Sequence, residues 1–95
     1  MSETAARIEA ILRERFAPVH FALRDDSANH AGHAGATSGG GHYKLVLVSQ
    51  AFDGISRLQQ HRLVNEALAA LIGSSIHALQ MTTRSPAEWA ARDDG

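Results

Sequence analysis

Four histidines in this 95-residue chain stand where they could converge on a metal, and the chain has no cysteine. His30 and His33 lie three residues apart in the glycine-rich stretch "NHAGHAGATSGGGHYK", His42 closes that stretch, and His77 stands near the chain's other end. Imidazole is the side chain best suited to bind a borderline metal when no thiolate is at hand. Three histidines alone leave a tetrahedral site unfinished, and polar loop residues are the plainer reading of them. His77 changes that balance, provided the fold brings it beside His42.

Other chemistries find less support. The serines sit in no nucleophile elbow or triad context. The "GGG" at Gly39–Gly41 precedes a strand, not a helix N-terminus, so the helix dipole that holds phosphates is missing. Gly32-His33-Ala34-Gly35 fits the GXXG pattern of nucleotide-clamping KH loops, but it joins two strands where the KH loop joins two helices. Arg57, Gln59, Gln60, His61 and Arg62 open the long helix with residue types that read bases and phosphates. A formal charge of -1 favours a solvated helix turn there over a nucleic-acid face.

The elements that must position these residues follow from periodicity. Residues 3–16 carry Ala5, Ile8, Ile11 and Leu12 on one side and predict a helix, ended by Pro18. Val19, Phe21 and Leu23 alternate with His20, Ala22 and Arg24, the pattern of a strand with one buried face. Residues 27–41 lack periodicity and predict a flexible His/Gly-rich loop. "YKLVLVS" shows no alternation, which predicts a strand at the sheet centre or covered on both sides. After a turn at Phe52-Asp53-Gly54, residues 56–72 predict the longest helix, with Val64, Ala67, Leu68 and Leu71 as its apolar stripe and Gly73 as its terminator. Ile76–Thr83 predicts a third strand, parallel to the second across the helical connection, with His77 on the same face as Leu79 and Met81. "SPAEW" is a capping box that opens a last short helix, and residues 92–95 predict a frayed tail. The order α-β-β-α-β-α gives a single α+β domain over residues 1–95, a three-stranded mixed sheet with helices mainly on one face. Adjacent parallel strands start at one edge of the sheet, so His42, His77 and the loop's histidines are expected to gather there.

Nothing at the N-terminus reads as a signal peptide, and no apolar run reaches the ~20 residues of a membrane span, so a cytoplasmic protein is expected. The missing cysteines exclude disulfides and any iron–sulfur cluster held by this chain's own thiolates.

From His42 to Trp89 the sequence resembles the BolA family: a strand opening with His and an aromatic, a Phe-X-Gly turn, the basic "QHR", and "IHAL" in place of a "VHAL" block. The resemblance implies a KH-like (class II) fold and a non-enzymatic protein that partners monothiol glutaredoxins. It implies a [2Fe-2S] cluster bridging the heterodimer, with thiolates from the partner and from glutathione, and a role in cluster trafficking. His77 resembles the family's histidine ligand of the "HAL" block. The second ligand falls in the loop, at His33 counting back from His42 or at His30 counting forward from "DDS"; the ungapped downstream register favours His33. His42 stands as a weaker candidate. DNA binding attributed to some members is the alternative, with Arg57, Gln60, His61 and Arg62 as its residues, and the free protein could form a homodimer.

Overall fold

The computed structural model describes residues 3–26 and 41–92. Helix α1 spans Glu3–Phe16 and buries Ala5, Ile8, Leu12 and Phe16 at helical spacing. It stops where Pro18 denies helical geometry to Ala17, which turns left-handed (φ 44) while its N–H still reaches the Arg13 carbonyl at 3.0 Å. Strand β1 (His20–Asp25) then runs antiparallel to β2 (Gly41–Val48), and β2 runs parallel to β3 (Ile76–Arg84), giving the order β1-β2-β3. Helix α2 (Arg57–Ala67) connects β2 to β3, and α3 (Pro86–Ala90) follows β3.

The mixed three-stranded sheet and element order agree with the periodicities. Helices α1 and α2 cover one face, where Tyr43, Leu45, Leu47, Phe52, Val64, Leu68, Leu71 and Ile76 join the α1 residues in one core. Short α3 reaches the other face at one end, where Trp89 stacks on His20 (ring centroids 4.8 Å) beside the buried Val48. Ser49 ties the layers together: its buried hydroxyl donates to the Phe16 carbonyl at 2.6 Å, joining the end of α1 to the end of β2. None of the described helices is long and apolar enough to cross a membrane.

Four expectations need correction. Strand β2 is at the sheet centre, as one of the two expectations had it, but it is not covered along both sides: Tyr43, Leu45 and Leu47 are buried while Lys44 on the opposite face is exposed, and only short α3 reaches that face, at the Val48 end. Val19 is 60% exposed, because it precedes β1 at the end of the sheet and only Phe21 and Leu23 pack on the core. Helix α2 ends at Ala67, not at residue 72; Leu68 to Ile72 turn more tightly so that Ile76 N–H can reach the Leu71 carbonyl at 2.8 Å. Gly73 (φ 88) therefore serves the turn into β3, not the helix terminus. The fourth correction concerns His77.

Candidate metal centre

Strands β2 and β3 begin together. Gly41 N–H reaches the Ser75 carbonyl at 2.9 Å, and Gly41 then pairs with Ile76 but His42 with Ala78. His77 is the extra residue of a β-bulge at that step. The bulge breaks the two-residue alternation: Ile76 is in the core and Leu79 packs against it, an odd spacing, while His77 is exposed. The expectation that His77 shares the face of Leu79 and Met81 fails for this reason. Its imidazole instead stands beside that of His42, with ring centroids 5.1 Å apart and planes tilted by 41°.

The segment that carries His30 and His33 lies outside the described residues. Its two ends do not: Asp26 N–H donates to the His42 carbonyl at 2.7 Å, and Gly41 opens β2. Both ends meet the sheet at the edge where His42 and His77 stand. Among the described residues no group of three or more His, Cys, Asp or Glu gathers to hold a metal ion. The donor set at this edge is therefore two adjacent imidazoles, open to solvent on one of them and half-open on the other. It suits a borderline metal that brings further ligands with it.

The alternative residue set at the start of α2 is not brought together on the surface. Gln60 is fully buried, and its amide donates to the Phe52 and Ile55 carbonyls (both 3.3 Å) and to Glu88 Oε1 (3.2 Å). Arg57 donates to the Thr83 carbonyl, to Gln60 Oε1 at 2.8 Å and to both Glu88 oxygens at 3.3 Å. Gln60 thus cannot present its amide to a base, and Arg57 is engaged in tying α2 to β3 and α3. Arg62 is exposed and His61 half-buried. The helix stripe carried the signal: Gln60, Val64 and Leu68 recur at i, i+4 and i+8, which extends the core-facing row back to position 60.

The carboxylate at the centre of this second cluster is strongly tuned. Glu88 accepts from the Ser85 backbone N–H at 2.8 Å while its own N–H donates to Ser85 Oγ at 3.1 Å, completing the capping box. That backbone bond first, then the Gln60 amide, and after them Arg57, lower its pKa from 4.5 to about 2 against an opposing effect of desolvation.

Comparison with known proteins places the sequence and the fold. The family model described as BolA-like protein matches residues 12–88. Human BolA-like protein 1 is 40% identical over 84 residues, 88% of this chain and 59% of the human protein, so the chain spans about three fifths of that relative's length. The DNA-binding transcriptional regulator BolA of Escherichia coli (strain K12) is 39% identical over 88 residues, 93% of this chain and 81% of that protein. The solved BolA domain of SufE1 from Arabidopsis thaliana superposes with a TM-score of 0.78 at 36% identity, covering 93% of this chain and 98% of that one. With the family match over most of its length and the same fold in a relative of this identity, the chain belongs to the BolA-like family.

Proposed function

We propose that this protein is a non-enzymatic adaptor that binds a monothiol glutaredoxin and shares a bridging [2Fe-2S] cluster with it. His77 is one ligand, and a histidine of the 27–40 segment is the second, His33 in the first place and His30 as its substitute. His42 flanks them. The observation that supports this reading is the bulge-presented His77 beside His42, at the edge where that segment leaves and rejoins the sheet. The chain's lack of cysteine suits it, because partner and glutathione carry the thiolates. A cluster held in part by neutral imidazole is less negative than one held by four thiolates, which raises its potential. It is also released in acid, since protonated imidazole cannot bind metal.

The experiment is a mixing titration. The protein alone purifies colourless; mixed with a cluster-loaded monothiol glutaredoxin and glutathione, it forms a coloured heterodimer whose visible spectrum differs from that of the loaded glutaredoxin alone. His77→Ala keeps its melting temperature and the cluster-free heterodimer but loses that spectrum. His33→Ala has a milder effect, and the His30→Ala/His33→Ala pair exceeds the sum of the single changes, as substitutable ligands require. An unchanged spectrum on mixing, without co-elution, sinks the adaptor reading.

A second reading, a DNA-binding regulator, draws support from the name of the Escherichia coli relative. With Gln60 buried and Arg57 engaged, the start of α2 offers Gln59, Arg62 and the half-buried His61, with Arg62 the single unengaged cation among them, which favours weak non-specific binding of ~10⁻⁴ M or poorer at physiological salt. Nanomolar, sequence-selective binding lost in Arg62→Ala reverses the ranking.

A further inference from the structure

The sheet has two edges, and they differ in chemistry. Strand β1 carries Arg24 and Asp25 within six residues, charges of the kind that keep an edge from pairing with other chains. Strand β3 has no Asp, Glu, Lys or Arg over Ile76–Thr83. A long uncharged edge is a template for a further strand, and proteins ordinarily blunt or cover it.

The ladder fixes which backbone groups of β3 point outward. In a parallel pair, alternate residues turn both N–H and C=O to the same neighbour. Ser49 N–H bonds the Arg84 carbonyl, so Arg84, Thr82, Gln80 and Ala78 face β2, while Thr83, Met81 and Leu79 face away from it. The ends of that outer row are occupied. Ile76 exchanges bonds with Leu71 and Gly73 (2.8 and 2.9 Å), and the Thr83 carbonyl accepts from Arg57 and Arg84. Between them, the N–H and C=O of Leu79 and Met81 have no hydrogen-bond partner among the described residues. Their side chains, although on the core face, stay half-buried for want of a neighbour on that side.

We propose that the occupant of this edge is a second copy of the chain, its β3 antiparallel to the first about a two-fold axis at Gln80. This register uses the N–H and C=O of both Leu79 and Met81, because Leu79 pairs with the partner copy's Met81 and Met81 with its Leu79, two hydrogen bonds each. Gln80 meets its own symmetry mate as a non-hydrogen-bonded pair, and Ala78 meets Thr82. No like charges face each other. On the core face two apolar cross-strand pairs, Leu79 with Met81 and the reverse, become covered. The pairing is isologous, as a two-fold requires, and the capped ends confine it to residues 78–82. His77 lies beyond that window, so the dimer leaves the imidazole edge open to a different partner. A contact of five residues a strand is small, and dissociation in the high-micromolar range is expected of it.

The chain's lack of cysteine makes the test direct. Non-hydrogen-bonded antiparallel pairs bring Cα atoms to about 4.5 Å, within the span a disulfide bridges. Gln80→Cys is therefore expected to form a covalent dimer under mild oxidation about tenfold faster than Gln59→Cys, an exposed position on α2, or Ala22→Cys, an exposed position on β1. Gln80→Lys places like charges at the axis; in sedimentation equilibrium it stays monomeric at concentrations where the parent chain dimerises, with an unchanged melting temperature. A parent chain that is monomeric throughout the high-micromolar range, or cross-linking as fast at Gln59 or Ala22 as at Gln80, overturns the proposal. Neither measurement involves a glutaredoxin or a cluster, so the outcome is independent of the adaptor reading.

Discussion

Glu88 is the residue whose charge holds the second half of the fold together, and Glu88→Gln isolates that charge. Glutamine at this position keeps the reciprocal bond of a capping box through its carbonyl oxygen, so the substitution removes the negative charge together with the acceptor that Oε2 offers Arg57. The carboxylate accepts from the Ser85 backbone N–H at the start of its own helix and, across from α2, from the Gln60 amide and the Arg57 guanidinium. Its pKa of about 2, against 4.5 unperturbed, lies on the depressed side. A depressed folded-state pKa contributes stability that is present above the unfolded value and disappears as pH falls through the folded one. The window is therefore pH 4.5 down to about 2. Because the side chain is 41% exposed, solvent screening leaves only part of the full linkage, about 1 kcal/mol. At pH 7 the variant should melt ~4–8 °C below the parent, the shift that about 1 kcal/mol produces in a domain of this size. Urea unfolding of both proteins at pH 7, 5, 4 and 3 should show the gap constant above about pH 5 and closing below it. A gap that persists undiminished at pH 3, or that is absent at pH 7, refutes the assignment of this charge to the folded state's stability.

Three further substitutions test the packing. Ala17→Gly relieves a left-handed Ala (φ 44) at the end of α1; the strain relieved outweighs glycine's added chain entropy, and a net gain of about 0.5–1 kcal/mol in urea unfolding is expected, with any loss counting against the strain. Ser49→Ala leaves the Phe16 carbonyl and the Ala51 N–H without their hydroxyl partner inside the protein and should cost about 1–3 kcal/mol, whereas a loss below about 0.5 would show the tie to be incidental. Thr83→Val replaces a buried hydroxyl, without a hydrogen-bond partner among the described residues, by a methyl of the same shape; stabilisation of about 1 kcal/mol is expected, and destabilisation would reveal a partner for Thr83 Oγ1.

What the residues disclosed, and what they withheld, follows the range of the interactions. Helix α1 was legible because its apolar period and Pro18 are local signals, and the Ser85–Glu88 capping box because its whole chemistry lies within four residues. The early end of α2 was not, since the bonds that draw Leu68–Ile72 out of helical geometry come from β3, across a turn. Gln60 reads as a surface residue by its polar type; its burial depends on acceptors at Phe52, Ile55 and Glu88 that no local pattern announces, although its place in the helix stripe points inward. The meeting of His42 and His77 followed from the rule that parallel neighbours start at one edge, and it held at 5.1 Å. The face of His77 did not follow, because a bulge is a property of the pairing of two strands and leaves no mark in either alone.

That bulge also explains how one short strand serves two purposes. Strict alternation from Leu79 and Met81 would put His77 on the core face and Ile76 outside, costing a buried apolar side chain and burying an imidazole that then needs a partner. One extra residue resolves the conflict: Ile76 enters the core at 1% exposure, Leu79 follows three positions later, and His77 between them is turned to solvent beside His42. The core consequently does not depend on the chemistry of position 77, and position 77 does not move unless the strand does. Rigid placement by the sheet without a share in its stability is the combination that the proposed role of His77 as a shared ligand requires. Under the proposed reading, the loss of His77 therefore removes the shared cluster while the melting temperature of the chain is unchanged.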